Sequence, residues 1–252
     1  MNINPHLELS NLLKELGVKP GDTLMVHASL RSLGEAMPAD IVIAGLRRAL
    51  GPTGTLAMPT LSYKTVTAEH PLFDTETTPS CVGSLSEVFR RQQGVVRSLH
   101  PTHSAAAIGL NTSDLLVGHE EDHTPCGEHS PFARLPKLEG RILFLGCDFT
   151  VNTSMHAAEE VVMPPYLLEE EPVDFILNDA RGRQVTSAVR CHNFRGYKQR
   201  YDRLEALLPA SAIKRGRLLA ADCMLVEAEA VREAAVAALQ KNPLHFVDAE
   251  NE

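Results

Sequence analysis

The chain has 252 residues, a formal net charge of −8, and 44% hydrophobic and 22% charged residues. This length suffices for one large domain or two small ones with a sizeable core, and the composition is ordinary for a globular protein. No apolar run approaches the ~20 residues that a membrane span needs, and the first residues lack the basic and apolar regions of a signal peptide. We therefore expect a cytoplasmic protein with no membrane partner.

Charge and cysteine usage restrict the partners further. No stripe of the sequence is rich in lysine or arginine, so we expect no nucleic-acid partner. The five cysteines are scattered without a Cys-x-x-Cys pair, which argues against structural disulfides and against a closed zinc site. Cys191 and His192 are adjacent ligand types, but neighbouring residues rarely aim at one ion. We therefore expect no metal.

Hydrophobic spacing predicts a strand–helix–strand unit near the start of the chain. Apolar residues recur at helical spacing over residues 7–16 and 41–50, and a glycine follows each segment. Short apolar runs at 23–27 and 55–59 are typical of buried strands. Short connections between these elements indicate a βαβ unit and a mainly parallel sheet.

The rest of the chain alternates helices and strands. Ser84 and Glu87 form a capping-box pattern at a helix start, and Pro164-Pro165 ends a later helix. Residues 173–189 alternate around a glycine turn, which predicts a β-hairpin. The remaining predictions are a loop over 61–83, helices over 84–91, 152–162, 201–208 and 227–240, strands over 105–109, 141–147 and 218–226, a polar surface loop with a short helix over 111–130, and a helical turn over 131–135.

These elements predict an α/β fold with a mainly parallel central sheet, flanking helices in α/β/α layers, and a smaller C-terminal β-containing lobe. No linker separates domains, so we interpret residues 1–252 as a single domain. A subdomain break near residues 164–172 is the alternative.

The first candidate cluster follows the first predicted strand. In open α/β sheets ligands bind beyond the carboxyl ends of strands. The hydroxyls and backbone amides of this loop suit phosphate oxygens, and an arginine adds positive charge. An ordinary strand-to-helix loop is the alternative. The cluster comprises His27, Ala28, Ser29, Leu30, Arg31 and Ser32.

The second cluster is His100-Pro-Thr-His103-Ser104, immediately before the predicted strand at 105–109. Its histidines and serine could position a thioester or a pyrophosphate. In the alternative interpretation Pro101 makes a turn that the histidines only cap.

The third cluster lies in the predicted helix over 152–162. His156 and Glu159 are three residues apart, and Glu160 is four residues from His156, so the three share one helix face. A carboxylate bonded to one imidazole nitrogen fixes the tautomer and raises the basicity of the other nitrogen. Such a pair suits removal of a proton from an amine that attacks an acyl carbon. The alternative is an ordinary His–Glu pair on a surface helix.

Other catalytic classes find less support. The sequence has no Gly-x-Ser-x-Gly elbow, no Walker A sequence and no Gly-x-Gly-x-x-Gly turn, which argues against an α/β-hydrolase and against nucleotide binding. Cys147, at a strand end, is an alternative acyl-accepting thiol, although a buried structural cysteine is the commoner role.

Together and in this order, the clusters resemble the aminoglycoside 3-N-acetyltransferase family. The similarity extends over roughly residues 7–246, and ordered motifs over such a length do not arise by chance. The segments that carry it are 21–34 (GDTLMVHASLRSLG), 50–56 (LGPTGTL), 97–104 (RSLHPTHS), 130–134 (SPFAR), 140–146 (GRILFLG) and 152–159 (NTSMHAAE).

The resemblance implies an α/β fold distinct from the common acetyltransferase superfamily, with acetyl-CoA as donor and a small-molecule amine as acceptor. It implies that His156 is the general base and that Glu159 orients it. It also implies that residues 27–32, His103 and Ser104 line the cofactor site. The implied acceptor is the 3-amino group of a 2-deoxystreptamine antibiotic, acetylated by direct transfer, with antibiotic resistance as the corresponding role.

Two further expectations accompany the resemblance. A backbone amide or the hydroxyl of Ser104 is expected to stabilise the oxyanion. The sequence does not determine the oligomeric state, and a homodimer is one alternative.

The sequence departs from the family's pattern near residues 190–192. Many resistance members have a further acidic residue there, whereas this chain has Arg190, Cys191 and His192. A cationic acceptor favours carboxylates, which Asp122 or residues 169–171 could supply. Three alternatives therefore stay open: the same transfer to another amine of metabolism or biosynthesis, a CoA-binding protein without activity, and a metal-dependent hydrolase.

Overall fold

The computed structural model describes residues 5–34 and 37–250. Part of the predicted loop after the first strand, at residues 35–36, lies outside the described residues, as do residues 1–4. No helix among the described residues is long and apolar enough to cross a membrane. The helices are α1 (Pro5–Leu16), α2 (Ala39–Leu50), α3 (Ser84–Arg90), α4 (Thr112–Leu116), α5 (Pro131–Arg134), α6 (Ser154–Val162) and α7 (Ala228–Lys241).

Twelve strands among the described residues form three sheets. Seven strands form the central sheet in the order β10-β11-β6-β1-β2-β5-β4, and β3-β7-β8 and β9-β12 form two small sheets. The strands are β1 (Thr23–Ala28), β2 (Thr55–Pro59), β3 (Leu72–Asp74), β4 (Val96–Arg97), β5 (Ala105–Gly109), β6 (Arg141–Leu145), β7 (Val173–Asn178), β8 (Gln184–Val189), β9 (Tyr197–Gln199), β10 (Ile213–Leu218), β11 (Ala221–Glu227) and β12 (Val247–Ala249).

The central sheet is mainly parallel, which confirms the predicted fold class. Strand β1 pairs in parallel with β2 on one side and with β6 on the other. Strands β4 and β10 point the same way as these three, because each is separated from them by one antiparallel neighbour. Five of the seven strands therefore share one direction, and only β5 and β11 run against it.

Alternation along β1 builds a core on each face of the sheet. Leu24 and Val26 pack on the face covered by α1, α2 and α3, whereas Met25 packs on the face covered by α6 and α7. All three side chains are fully buried or nearly so. Since successive residues of a strand point to opposite faces, the continuous apolar run of β1 matches a sheet covered on both sides. This confirms the α/β/α layers.

The small sheets lie outside the central sheet, and their strands come from separate parts of the chain. The hairpin β7–β8 confirms the prediction over 173–189, and it gains β3 from the segment predicted to be only a loop. After β9 the chain returns to the central sheet with β10, β11 and α7. The smaller β-containing part is therefore not the whole C-terminal third of the chain.

Several boundaries differ from the predictions for physical reasons. Strand β10 was missed because four of its six residues are exposed, so an edge strand shows no apolar alternation. Leu218, predicted to begin a strand, instead ends β10. Residues 201–207 form a 3₁₀ helix rather than an α-helix. The predicted surface loop over 111–130 is partly wrong, since His119 and Asp122 are buried.

Candidate active site

A cavity of about 870 Å³ opens between the central sheet and the small sheets. That volume is within the usual range for small-molecule sites. The end of β1, the first turn of α6, and a third wall of residues near 191–201 line it. The cavity therefore lies beyond the carboxyl ends of parallel strands, where open α/β sheets bind their ligands.

His156 reaches this cavity because of how α6 begins. After β6 the chain turns at Gly146, which has a positive φ of 66°, and a 3₁₀ turn over Phe149–Val151 leads into the helix. The side-chain oxygen of Asn152 accepts a hydrogen bond from the backbone N–H of Ser154 at 3.2 Å, satisfying one free donor of the first turn. His156, in that turn, lines the cavity.

Glu159 fixes the orientation and tautomer of His156. The Nδ1 of His156 lies 2.9 Å from Oε2 of Glu159, a carboxylate that is 0% exposed. A carboxylate accepts only, so Nδ1 carries the proton and Nε2 presents a lone pair. The interpretation of the pair as part of a surface helix is therefore wrong.

Two tyrosines complete the shell of the buried carboxylate. Tyr166 donates its hydroxyl to Oε1 of Glu159 at 2.8 Å, and Tyr201 donates to Oε2 at 2.7 Å. Burial and the nearby Glu159 charge raise the pKa of both tyrosines, so their hydroxyls stay protonated as donors. A buried charge needs such partners, and Glu159 has three.

His103 and His192 flank His156. The ring of His156 lies 4.2 Å from that of His192 and 5.8 Å from that of His103, measured between centroids. Burial, and then the positive charge that His156 gains on protonation, lower the pKa of both neighbours well below the ordinary value. Both rings are therefore neutral near pH 7.

Glu160 does not join the His156 pair, although the helical spacing placed it within reach. Its Oε2 accepts from the Thr124 hydroxyl at 2.5 Å and its Oε1 from the backbone N–H of Cys126 at 2.7 Å. Burial raises the pKa of Glu160 to about 7. Its Oε1 also lies 3.6 Å from Nε2 of His192.

The first predicted cluster, residues 27–32, contributes three of its six residues to the cavity wall. His27, Ala28 and Ser29 line the cavity, whereas the 3₁₀ turn Leu30–Leu33, which carries Arg31 and Ser32, lies beyond the lining. Burial lowers the pKa of His27 to about 3, so this ring is neutral. Its Nε2 has no hydrogen-bond partner among the described residues.

The second predicted cluster is divided by the structure. His103 lines the cavity, but Ser104 is fully buried behind the wall. The Ser104 hydroxyl donates to the carbonyl oxygen of Thr60 at 2.9 Å and accepts from Arg97 at 2.9 Å. His100 accepts from the backbone N–H of His103 at 3.0 Å, so His100 caps the turn.

Two further groups in the wall have distinct chemistry. The side-chain Nδ2 of Asn152 is buried without a hydrogen-bond partner in the described part of the chain. It is a donor that a bound acyl group could satisfy. Burial raises the pKa of Cys147 to about 12, and its Sγ lies 3.3 Å from the carbonyl oxygen of His27. This thiol is therefore poorly suited to act as a nucleophile at neutral pH.

The lining of the cavity, as far as residues 5–34 and 37–250 define it, contains no lysine, arginine, aspartate or glutamate. Asp122, one expected partner of a cationic acceptor, lies instead against His129 at 3.0 Å. Glu169, a second expected partner of a cationic acceptor, lies 3.4 Å from Arg195 and outside the cavity lining. The predicted acidic contacts are thus not part of the cavity wall.

Sequence reasoning missed the two tyrosines around Glu159 and the approach of His192. Tyr166 lies seven residues after Glu159, but Tyr201 lies 42 residues away, beyond any helical or strand period. His192 carried a weak signal, since it belongs to the segment that departs from the family's pattern. No local pattern identified the tyrosines.

Comparison with known proteins shows the family of this chain. The sequence profile of the aminoglycoside 3-N-acetyltransferases matches residues 25–240. The chain belongs to this family. It is 38% identical over 165 residues to aminoglycoside N(3)-acetyltransferase IV of Salmonella sp, which covers 63% of this chain. The chain spans only 60% of that relative's length. It is 29% identical over 245 residues to aminoglycoside N(3)-acetyltransferase IX of Micromonospora chalcea, covering 86% of each chain.

Solved structures of the family share the fold. A histidine-to-alanine mutant of the aminoglycoside acetyltransferase AAC(3)-IVa in complex with a gentamicin superimposes with a TM-score of 0.81 at 31% identity, covering 96% of this chain and 90% of that one. AAC-IIIb, in a binary complex with CoASH, superimposes with a TM-score of 0.80 at 25% identity, covering 94% and 96%.

The shell of Glu159 predicts a stability difference between two tyrosine variants. Tyr166→Phe leaves one oxygen of a buried carboxylate without its donor, so we expect the free energy of unfolding to fall by about 1–3 kcal/mol. Tyr63→Phe is the control, since Tyr63 is 44% exposed, and it should change stability by less than about 0.5 kcal/mol. Urea unfolding measures both, and equal losses would contradict the assigned role of Tyr166.

Proposed function

We propose that this protein transfers the acetyl group of acetyl-CoA to a primary amine, the 3-amino group of a 2-deoxystreptamine aminoglycoside, with His156 as general base. The observation that carries the proposal is the pair of His156 and the buried Glu159 at the cavity. The pair leaves one imidazole lone pair toward a space large enough for substrates. Family membership and the aminoglycoside complex of a relative support the acceptor class.

The proposed reaction is a direct transfer in a ternary complex. The amine nitrogen attacks the thioester carbonyl carbon, and Nε2 of His156 accepts the proton that this nitrogen loses. Glu159 stabilises the imidazolium that forms, because the two groups are hydrogen-bonded at 2.9 Å. The carbon–sulfur bond then breaks as the amide carbonyl re-forms, and the departing thiolate takes the proton from Nε2 of His156, which restores the base. No bond to the protein is made.

The oxyanion of this reaction needs a hydrogen-bond donor. Ser104 is a poor candidate, because its hydroxyl already donates to the carbonyl of Thr60 behind the wall. Asn152 suits the role better, since its Nδ2 is buried and unpaired among the described residues while its Oδ1 is held by Ser154. A donor fixed in advance is the arrangement that stabilises developing charge.

Three parts of the predicted cofactor site support the assignment of acetyl-CoA. His27, Ala28 and Ser29 lie in the cavity wall, and the exposed Arg31 follows them outside it. Arg31 stands two residues after Ser29, and its positive charge suits the phosphates of CoA. The CoASH complex of AAC-IIIb supports the same donor class.

Replacing the base tests the mechanism. His156→Ala should lower the rate of thiol release from acetyl-CoA at least ~10²-fold, as loss of a general base implies. Binding of CoA, measured by calorimetry, should be retained. In Asn152→Ala the base is intact, so the rate should fall while its pH dependence stays that of the unaltered protein. The exposed His70→Ala is the matched control and should keep full activity. If His156→Ala releases thiol as fast as the unaltered protein does, this residue is not the general base.

Direct transfer makes a separate prediction for the cavity thiol. Cys147→Ser should keep kcat within a small factor of the original value, since the thiol has a pKa of about 12 and no acyl-enzyme is required. Rapid mixing with acetyl-CoA in the absence of acceptor should show no burst of thiol release. Loss of activity in this variant together with a burst would indicate a covalent acyl intermediate.

A second acceptor class is favoured by one observation. The described lining of the cavity contains no carboxylate, whereas recognition of a polycation favours several. The same chemistry on an amine with a single charge fits a neutral cavity. The further charges of an aminoglycoside would instead have to stay in water at the cavity entrance.

A panel of acceptors distinguishes the two classes. On the leading proposal, gentamicin and apramycin accelerate thiol release with a higher kcat/KM than simple apolar monoamines do. A higher kcat/KM for the monoamines would identify a monoamine as the acceptor, and the proposed roles of His156 and Glu159 would stay the same. If no amine accelerates thiol release, the protein binds CoA without transferring its acyl group.

A further inference from the structure

Three imidazoles meet at one point of the cavity wall. One ring nitrogen from each of His103, His156 and His192 lies within 4.8 Å of the other two. The rings of His103 and His192 are 4.6 Å apart, and those of His156 and His192 are 4.2 Å apart. Three imidazoles are the protein ligands of tetrahedral zinc sites that keep the fourth position open for water or substrate.

In two of these rings Nδ1 is already oriented by a neighbour. Nδ1 of His156 bonds to Glu159 at 2.9 Å, and Nδ1 of His103 lies 2.9 Å from the Thr102 hydroxyl. Such outer contacts fix the tautomer of metal-binding histidines and leave the other nitrogen as the ligand.

His192 supplies the independent sign that the cluster lacks an occupant. Its side chain is only 10% exposed, and its Nε2 has no hydrogen-bond partner within the described ranges. Oε1 of Glu160 is 3.6 Å from that nitrogen, beyond hydrogen-bond distance. A buried polar nitrogen without a partner is uncommon in proteins. An ion between the three rings would give this histidine a role.

We propose that His103, His156 and His192 bind a divalent transition-metal ion of the zinc type, and that the bound ion inhibits acetyl transfer. Ligand nitrogens of tetrahedral zinc lie roughly 3.4 Å apart, as bonds of about 2.1 Å require. The rings therefore close slightly on binding. The fourth position of the ion faces the cavity.

The inhibition of acetyl transfer follows from the single lone pair on Nε2 of His156. It rests on the proposed function, in which that lone pair accepts the proton of the amine. Nε2 of His156 cannot coordinate an ion and accept the proton of an amine at the same time. The metal-free protein is thus the active form, and the ion competes with the acceptor for the same place in the cavity.

Metal binding is tested on the full chain without an affinity tag. Titration with Co²⁺ should produce the visible absorption of a tetrahedral complex, and calorimetry with Zn²⁺ should give one site. His103→Gln and His192→Gln should each weaken binding at least ~10-fold, since even outer-shell changes have effects of that size. His70→Gln is the matched control on the surface and should bind as the unaltered protein does.

Two further measurements decide between this site and other causes. Cys191→Ser removes the cavity thiol next to His192, and loss of the Co²⁺ spectrum in that variant would overturn the three-histidine assignment. Thermal unfolding without metal shows whether each variant is folded. Zn²⁺ should raise the unfolding temperature of the unaltered protein but not that of His192→Gln. Absence of binding, or binding in the two folded histidine variants equal to that of the unaltered protein, would also overturn the site.

Activity assays separate the inhibition from the proposed function. Zn²⁺ should suppress thiol release in the presence of an accepting amine, and a chelator should restore it. Metal binding without suppression would overturn the inhibitory effect. Metal binding by a protein that never transfers an acetyl group would contradict the proposed function and leave the three-histidine site in place.

Discussion

The buried carboxylate of Glu159 is the constraint on which the active site depends. A charge without water requires donors on both oxygens, and here they come from His156, Tyr166 and Tyr201. Tyr166 follows the end of α6, and Tyr201 follows β9, so satisfying one carboxylate fixes the wall around it. The left-handed Met163, with a φ of 56°, ends α6 just before two prolines and turns the chain toward Tyr166. The orientation of His156 and the folding of the chain around Glu159 therefore depend on the same contacts.

The central sheet explains why this site forms where it does. Strands β1 and β6 pair in parallel, so their carboxyl ends meet at one edge. The loop after β1 gives His27 to the cavity, and the turn after β6 leads to Asn152 and His156. Residues more than 120 positions apart in sequence thus share one wall because of strand direction alone. The segment between β8 and β9 then contributes His192 and Phe194 to the cavity wall.

Local periodicity predicted what depends on neighbours in sequence and failed where contacts span the chain. The His156–Glu159 contact follows from three-residue helical spacing, and the buried strand β1 from its apolar run. Tyr201 and His192 reach the same helix from 42 and 36 residues away, and no repeat period encodes such distances. For Ser104, local position predicted a contact that the structure does not show. Its hydroxyl and its position suggested a ligand contact, but that hydroxyl instead bonds to Arg97 of β4 and to Thr60 after β2.

The electrostatics of the cavity allow one positive charge at a time. His103 and His192 lie within 6 Å of His156, and burial together with the charge of protonated His156 keeps the pKa of each well below its ordinary value. On the proposed mechanism, a proton taken from an amine therefore stays on His156, beside Glu159, instead of spreading over the cluster. Because the described lining contains no other ionised side chain, this ion pair acts in surroundings that screen it weakly. The same absence of competing charge suits the ion binding proposed for the three rings. On these two proposals, one arrangement accepts a proton when the cavity holds substrates and binds an ion when it does not.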